Sequence, residues 1–290
     1  MTGARAAFAA ACTALVALVV IAAAGCATTP PAAAAPVGPV PTEEAILRSE
    51  ESRAGSLGWV HARGVAELRW RDASGDHFEQ GDLDLRWCAG RGIAASISKF
   101  GDRHAWIGSD GVRWWRFAPK ARPSTLDVGV LQAVPGADRS VPDECAVTPA
   151  LLGMAPLRPR AGARVAIDGV LAWVELDPAG LPSTEGGRFE AGFDATSLEP
   201  RAVRMVDATG AVAWRVAYDD VRSIEVPGTA PGSWPRAPRR IEATRGEGGA
   251  SLLLALGSIS IDREAVDRAP LYDLEALRAR FAPESVRVLE

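Results

Sequence analysis

From Trp59 onward the chain is written in a period of two. Across residues 78–87, Phe78, Gln80, Asp82, Asp84 and Arg86 alternate with Glu79, Gly81, Leu83, Leu85 and Trp87. Successive side chains of a strand point to opposite faces, so this alternation builds one apolar face and one polar face. Asp72–Gly75, Ala89–Gly92 and Gly101–Arg103 interrupt it with turn residues. The strand-and-turn rhythm recurs about every ten residues, which marks an antiparallel meander. It breaks over Pro119–Arg164, where Thr148 and Pro149 offer the start of a short helix. It resumes around Asp168-Gly169, a strong hairpin signal between apolar runs. A second hairpin turns at Asp207–Gly210, and two more strands pair across Gly246–Gly249. Two further helices are expected at the margins. Thr42 caps one that ends near Gly55, and Asp273 caps a last one carrying Leu274, Leu277 and Phe281 on one face. The reading is a mainly β (α+β) chain of about ten to twelve strands in one large antiparallel sheet, with a few short helices on one face.

The stretch His104–Phe117 holds three of the nine tryptophans around a Ser109-Asp110-Gly111 turn. An even-length turn keeps cross-strand partners on the same face. One face then collects Ala105, Ile107, Val112, Trp114 and Arg116, the other His104, Trp106, Arg113, Trp115 and Phe117. Trp114 is expected on the buried side. Trp106 and Trp115 are expected to face each other on the outer side, either half-exposed or beneath a covering segment.

Composition matters chiefly for what it excludes. Lys+Arg total 32 against 36 Asp+Glu, for a net charge of −4, and Lys99 and Lys120 are the only lysines. The arginines are scattered among acids without a basic block, which argues against nucleic-acid binding. The three histidines, His61, His77 and His104, share no metal-ligand spacing. No Gly-x-Ser-x-Gly elbow occurs, and the glycines of 90–95 precede strand-like sequence, not the helix that a dinucleotide loop requires. The acidic pairs Asp82/Asp84 and Asp219-Asp220 read as solvated surface. No catalytic residue, metal or cofactor is assigned, and an enzyme is not expected.

The N-terminus sets the compartment. Arg5 precedes an apolar run, Ala6–Ala24, which ends in small residues before Cys26. That is the layout of a secretory signal over 1–25. A plain signal peptide or an uncleaved anchor are the alternatives, since about 19 apolar residues can just cross a bilayer. Ala-Gly-Cys resembles the lipobox of bacterial lipoproteins. That resemblance makes Cys26 the first mature residue and the site of lipid (diacylglycerol and palmitate-type acyl) attachment. Lacking aspartate at Ala27, the chain would by the same resemblance go to the periplasmic face of the outer membrane. Residues 26–41, lipidated cysteine and a Pro/Ala-rich stretch, form a tether. Cys88 and Cys145 remain in the body. Either they bridge, closing a loop of roughly 60 residues for about 4 kcal/mol on the chain-entropy model, or they are two independent buried thiols.

The order of elements over 42–290 is a lead helix, a meander, the Ser109-Asp110-Gly111 hairpin followed by Trp114, a mid-chain insert, the hairpin spanning Leu198–Tyr218 and a closing strand pair. It is similar to the lipoprotein carrier and receptor (LolA/LolB-like) family of the bacterial envelope. The resemblance implies a single domain, a curved sheet or incomplete β-barrel, with helices covering its concave face. It also implies an apolar cavity that binds or transfers acyl chains of lipids or lipoproteins. Ile107, Val112 and Trp114 become the candidate cavity wall. The chain departs from the family by its longer insert and shows no protruding apolar loop of the kind the receptor uses for membrane delivery. The alternative is a structural lipoprotein that uses the same scaffold, its interior filled, to dock an envelope protein partner.

Overall fold

A computed structural model describes residues 39–289 apart from 74, 90–91, 131–147, 180, 182–185, 247–248, 262, 264–265 and 267–272. The expected signal segment, Cys26, and Cys145 with its bridge lie outside the described residues.

Helix α1 (Glu43–Ala54) opens the fold, with the Thr42 side chain accepting from the Ala45 amide and Gly55 at the C-cap. The alternating sequence then folds as read. Strands β1 (Trp59–Asp72), β2 (Gly75–Cys88), β3 (Gly92–Lys99), β4 (Asp102–Ser109), β5 (Arg113–Ala118) and β6 (Thr125–Val130) pair in succession. A second series follows: β7 (Ala166–Asp168), β8 (Leu171–Glu175), β9 (Arg188–Asp194), β10 (Pro200–Val206), β11 (Val212–Ser223), β12 (Arg236–Arg245) and β13 (Ser251–Ser260). Helix α2 (Leu274–Phe281) and strand β14 (Ser285–Leu289) complete it. Among the described residues these strands form one open, curved, 14-stranded sheet in the order β14-β6-β5-β4-β3-β2-β1-β13-β12-β11-β10-β9-β8-β7. Every pairing is antiparallel except β14 with β6. Turn chemistry sets the registers. Gly169 takes the positive φ of the two-residue Asp168–Leu171 hairpin, and Asp207 Oδ1 accepts from the Thr209 and Ala211 amides at the next one.

The two faces are covered differently. The concave face carries Val60, Ala62, Leu83, Leu85, Trp87, Tyr218, Ile241 and Leu254, packed against Ile46 and Leu57 and against Leu151–Leu157. Each aliphatic side chain so buried contributes about 1.5–3 kcal/mol. The stretch beginning at Thr148 is a set of turns, not the helix its sequence suggests. Leu152 and Met154 donate back to Thr148 and Pro149, but Gly153 then enters the left-handed region and Pro156 follows. Proline cannot extend a helix, and a left-handed residue ends one. On the opposite face, α2 covers Trp106, Trp115, Phe117 and Leu126 with Leu274, Leu277 and Phe281. Asp273 caps α2 by accepting from the amides of Glu275 and Ala276. Cys88 is buried on this outer face beside Ala94 and Val266.

A buried polar clamp holds the concave cover. Arg53 donates to both oxygens of Glu50 at 2.7 Å, and to the carbonyls of Gly153 (2.7 Å) and Arg236 (2.9 Å). Glu50 Oε2 also accepts the Leu157 amide at 2.9 Å. The Tyr218 hydroxyl donates to the Leu151 carbonyl at 3.0 Å, and burial pushes its ionisation far above the ordinary tyrosine range. These bonds tie α1 and the turn to β11 and β12.

Candidate functional site

α1 and the Thr148–Leu157 turns fill the concave face over the half bearing Arg236 and Tyr218. Toward the ends of the β1–β2, β3–β4 and β12–β13 hairpins no side chain among the described residues does so, and two cavities result. One, of about 280 Å³, lies between Leu151 and Leu152 and the sheet residues Trp214, Val216, Ile241 and Ala243. The other, of about 410 Å³, is lined by Ala66, Leu83, Ile93, Ala95, Ile97, Ala105 and Ile107. They share Leu68, Leu252 and Leu254. Leu68 and Leu252 are direct partners across the β1–β13 seam. The larger cavity exists because small residues hold positions where the alternation admits large ones. Ala66 sits opposite Gly81 on β2, and Ala105 sits opposite Ile97 on β3. A Cβ at Gly81 would come within 2.7 Å of Ile97 Cγ2 and of the Ser98 carbonyl. Leu68 remains 38% exposed in the middle of this apolar surface.

Charge at the cavities is largely self-neutralised: Arg116, which lines the larger one beside Ile107, donates to the buried Asp127 at 2.8 Å. Lys99 donates to Glu79 at 3.0 Å and Lys120 to Asp102 at 2.8 Å. The Trp70 ring stacks on His77 with centroids 4.8 Å apart. Beside Lys99, Phe100 occupies the β3–β4 turn with φ 54° and is 97% exposed.

Of the three wall residues expected from sequence, Ile107 lines the larger cavity. Trp114 lies on the same face and is buried, but its ring is laid over Gly129 of β6 and lines neither cavity. Val112 sits in the hairpin turn, 65% exposed, its amide bonded to Asp110 Oδ1. The outer-face tryptophans differ from expectation in register. Trp106 pairs with Phe117, and Trp115 pairs with Gly108, because Ser109 and Trp114 close the turn. Trp115 covers Gly108 where a second large side chain would clash. Both rings lie fully beneath α2, so the covered alternative holds and the half-exposed one does not. His104 falls at a bulge between Ser98/Arg103 and Ile97/Ala105 and turns to the larger cavity instead of the outer face. The sequence reading passed over Ala66, Gly81, Leu68 and Leu252. Their signal was size, small against large on one apolar face, not residue chemistry.

One member of each acidic pair, Asp84 and Asp220, is engaged in an ion pair. Asp84 accepts from Arg86 at 2.8 Å and lies 3.1 Å from His61. Burial opposes its ionisation, but these partners outweigh it and hold its pKa below the usual carboxylate range. Asp220 pairs with Arg222. No cluster of three metal-ligating side chains occurs among the described residues. A third cavity, of about 530 Å³, opens on the outer face, but Arg160–Glu175 and Arg204–Glu190 ion pairs line it, so it is a wet groove.

Neither a protein-family model nor a curated protein matches this chain. Solved structures do. A DUF1329 family protein from Desulfovibrio piger is 10% identical, with 81% of this chain and 97% of that one covered, at a TM-score of 0.50. An outer membrane lipoprotein-sorting protein domain from Vibrio parahaemolyticus is 12% identical over 80% and 100%, at 0.46. A LolA superfamily protein from Nitrosomonas europaea is 12% identical over 77% and 94%, at 0.45. The likeness is one of fold alone. The chain has the architecture expected from its sequence, an open curved sheet with an apolar concave face partly covered by a lead helix and a mid-chain segment.

Proposed function

We propose that the concave face binds acyl chains, and that the protein handles lipids or lipoproteins at the bacterial cell envelope. The reading includes attachment by lipid at Cys26 and a periplasmic position at the outer membrane. The observation that carries it is the pair of adjoining apolar cavities on the half of the concave face that its own cover does not fill. An interior serving only as a scaffold would close over such a surface, because each methylene left facing water forfeits about 0.8 kcal/mol. Buried acyl methylenes recover the same quantity. With its charges largely held in ion pairs and its lining mainly aliphatic, the cavity surface offers little to a polar ligand and much to a hydrocarbon chain. Phe100 beside the rim supports a role at a membrane surface.

The test uses the exported chain from residue 26 carrying Cys26→Ser, which keeps every residue of the described fold and carries no lipid of its own. Native mass spectrometry should find co-purifying lipid, and a fluorescent fatty acid should bind saturably. Absence of both results would sink the reading and favour the partner-docking alternative. In cells, labelled palmitate should enter the wild-type chain and not Cys26→Ser. Equal labelling of both would remove Cys26 as the anchor.

A further inference from the structure

The two cavities adjoin on one face and share a line of leucines between them. The line follows the β1–β13 seam: Leu68 opposite Leu252, and Leu254 opposite Ala66. One side falls to Ile97, Ala105 and Ile107, the other to Trp214 and Ala243. Volume sets what each side takes. An engineered apolar cavity of about 150 Å³ holds one benzene, or roughly 25 Å³ per carbon. On that scale about 410 Å³ accommodates roughly sixteen carbons and about 280 Å³ roughly eleven. Both lie in the range of acyl chains, and neither can take two. Both cavities also reach the same end of the sheet. Glu79 and Lys99 border the larger, Arg245 and Ser251 the smaller, and all four flank the hairpin ends on either side of the seam.

Resting on the acyl-chain reading above, we infer that the ligand is a two-chain amphiphile, held with one chain in each cavity and its headgroup astride Leu68. The partly exposed Leu68 side chain is then the wedge between the chains, and the small residues Ala105 and Ala243 set the depth of each side. The cavities differ in size, so the site prefers chains of unequal length or leaves the end of one outside.

Stoichiometry decides the inference in the unmodified fold, using the Cys26→Ser chain from residue 26 with palmitic acid and a two-chain phosphatidylglycerol as probes in native mass spectrometry. The chain should bind up to two palmitic acids or one phosphatidylglycerol, and one phosphatidylglycerol should displace both fatty acids. Ala105→Leu and Ala243→Leu, which fill one cavity each, should each bind a single palmitic acid and lose phosphatidylglycerol affinity by tenfold or more. A maximum of one palmitic acid, or simultaneous binding of palmitic acid and phosphatidylglycerol, would overturn the two-chain inference and leave the acyl-chain reading standing. Binding of neither probe would overturn both. Unchanged phosphatidylglycerol affinity in either folded variant would remove that cavity from the site.

Discussion

Arg53→Met puts the clamp between the helical cover and the sheet under direct strain. The substitution retains most of the aliphatic stem and removes every charged donor. Glu50, fully buried, then keeps only the Leu157 amide, and the carbonyls of Gly153 and Arg236 lose their partner. Removing one member of a buried ion pair typically costs about 3–5 kcal/mol, most of it from the charge left behind. Two backbone acceptors lose hydrogen bonds worth about 1 kcal/mol each, partly restored by water reaching the turn. The expected loss is therefore about 3–5 kcal/mol, set against the roughly 5–15 kcal/mol that holds a typical domain together. At about 2–4 °C per kcal/mol for a chain approaching this size, the melting temperature should fall by about 6–20 °C. Urea unfolding followed by tryptophan fluorescence reads both the midpoint and the m-value, so a loss of stability is separable from a looser native state. Glu50→Leu combined with Arg53→Met removes the stranded charge and should recover a good part of the loss. The reasoning fails if Arg53→Met shifts stability by less than 1 kcal/mol, or if the double variant is less stable than the single one.

Two further outcomes follow from close contacts. A Cβ on Gly129 would lie 2.5 Å from the Trp114 ring, so Gly129→Ala should cost about 1–3 kcal/mol in thermal unfolding. Gly232→Ala, with nothing within 4 Å, serves as control, and equal melting of the two would refute the contact. Asp127 is buried, which opposes its ionisation, but Arg287 and Arg116 outweigh burial and hold its pKa below the usual range. A carboxylate with a depressed folded pKa contributes its stabilisation in full above its unfolded value, near pH 4, and loses it as pH falls through the folded value. Asp127→Asn should therefore be less stable than the parent by about 1–2 kcal/mol at pH 7, with the gap closing in acid. A gap independent of pH would mean that the carboxylate charge is not what holds β14 to β6.

The fold was legible where neighbours in sequence are neighbours in space. Alternation at 78–87, the Asp168-Gly169 turn and the Asp273 cap all act within a few residues, and each formed as read. Strand β14 was not legible. It has five residues and a partner 160 positions away, with Arg287 bonded to Asp127. The register of Trp106 and Trp115 needed the closing pair of the turn, and face parity alone does not fix that. The candidate site was half legible. Ile107 was placed on it by parity, but a cavity depends on what fails to fill it. No local pattern reports that Ala66, Gly81 and Ala105 come together across three hairpins.

Seen along the chain, the sheet is two zippers. β1–β6 and β7–β13 each close hairpin by hairpin, with little entropy lost per step. They meet at β1 and β13, where Ser260 donates to the carbonyl of His61 199 positions away. This long-range pairing also brings together the leucines shared by the two cavities. The continuous concave face therefore exists only when the two arms are joined at β1 and β13. A ligand lying astride Leu68 and Leu252 would act as a rivet across that joint, linking the two arms as well as resting on them.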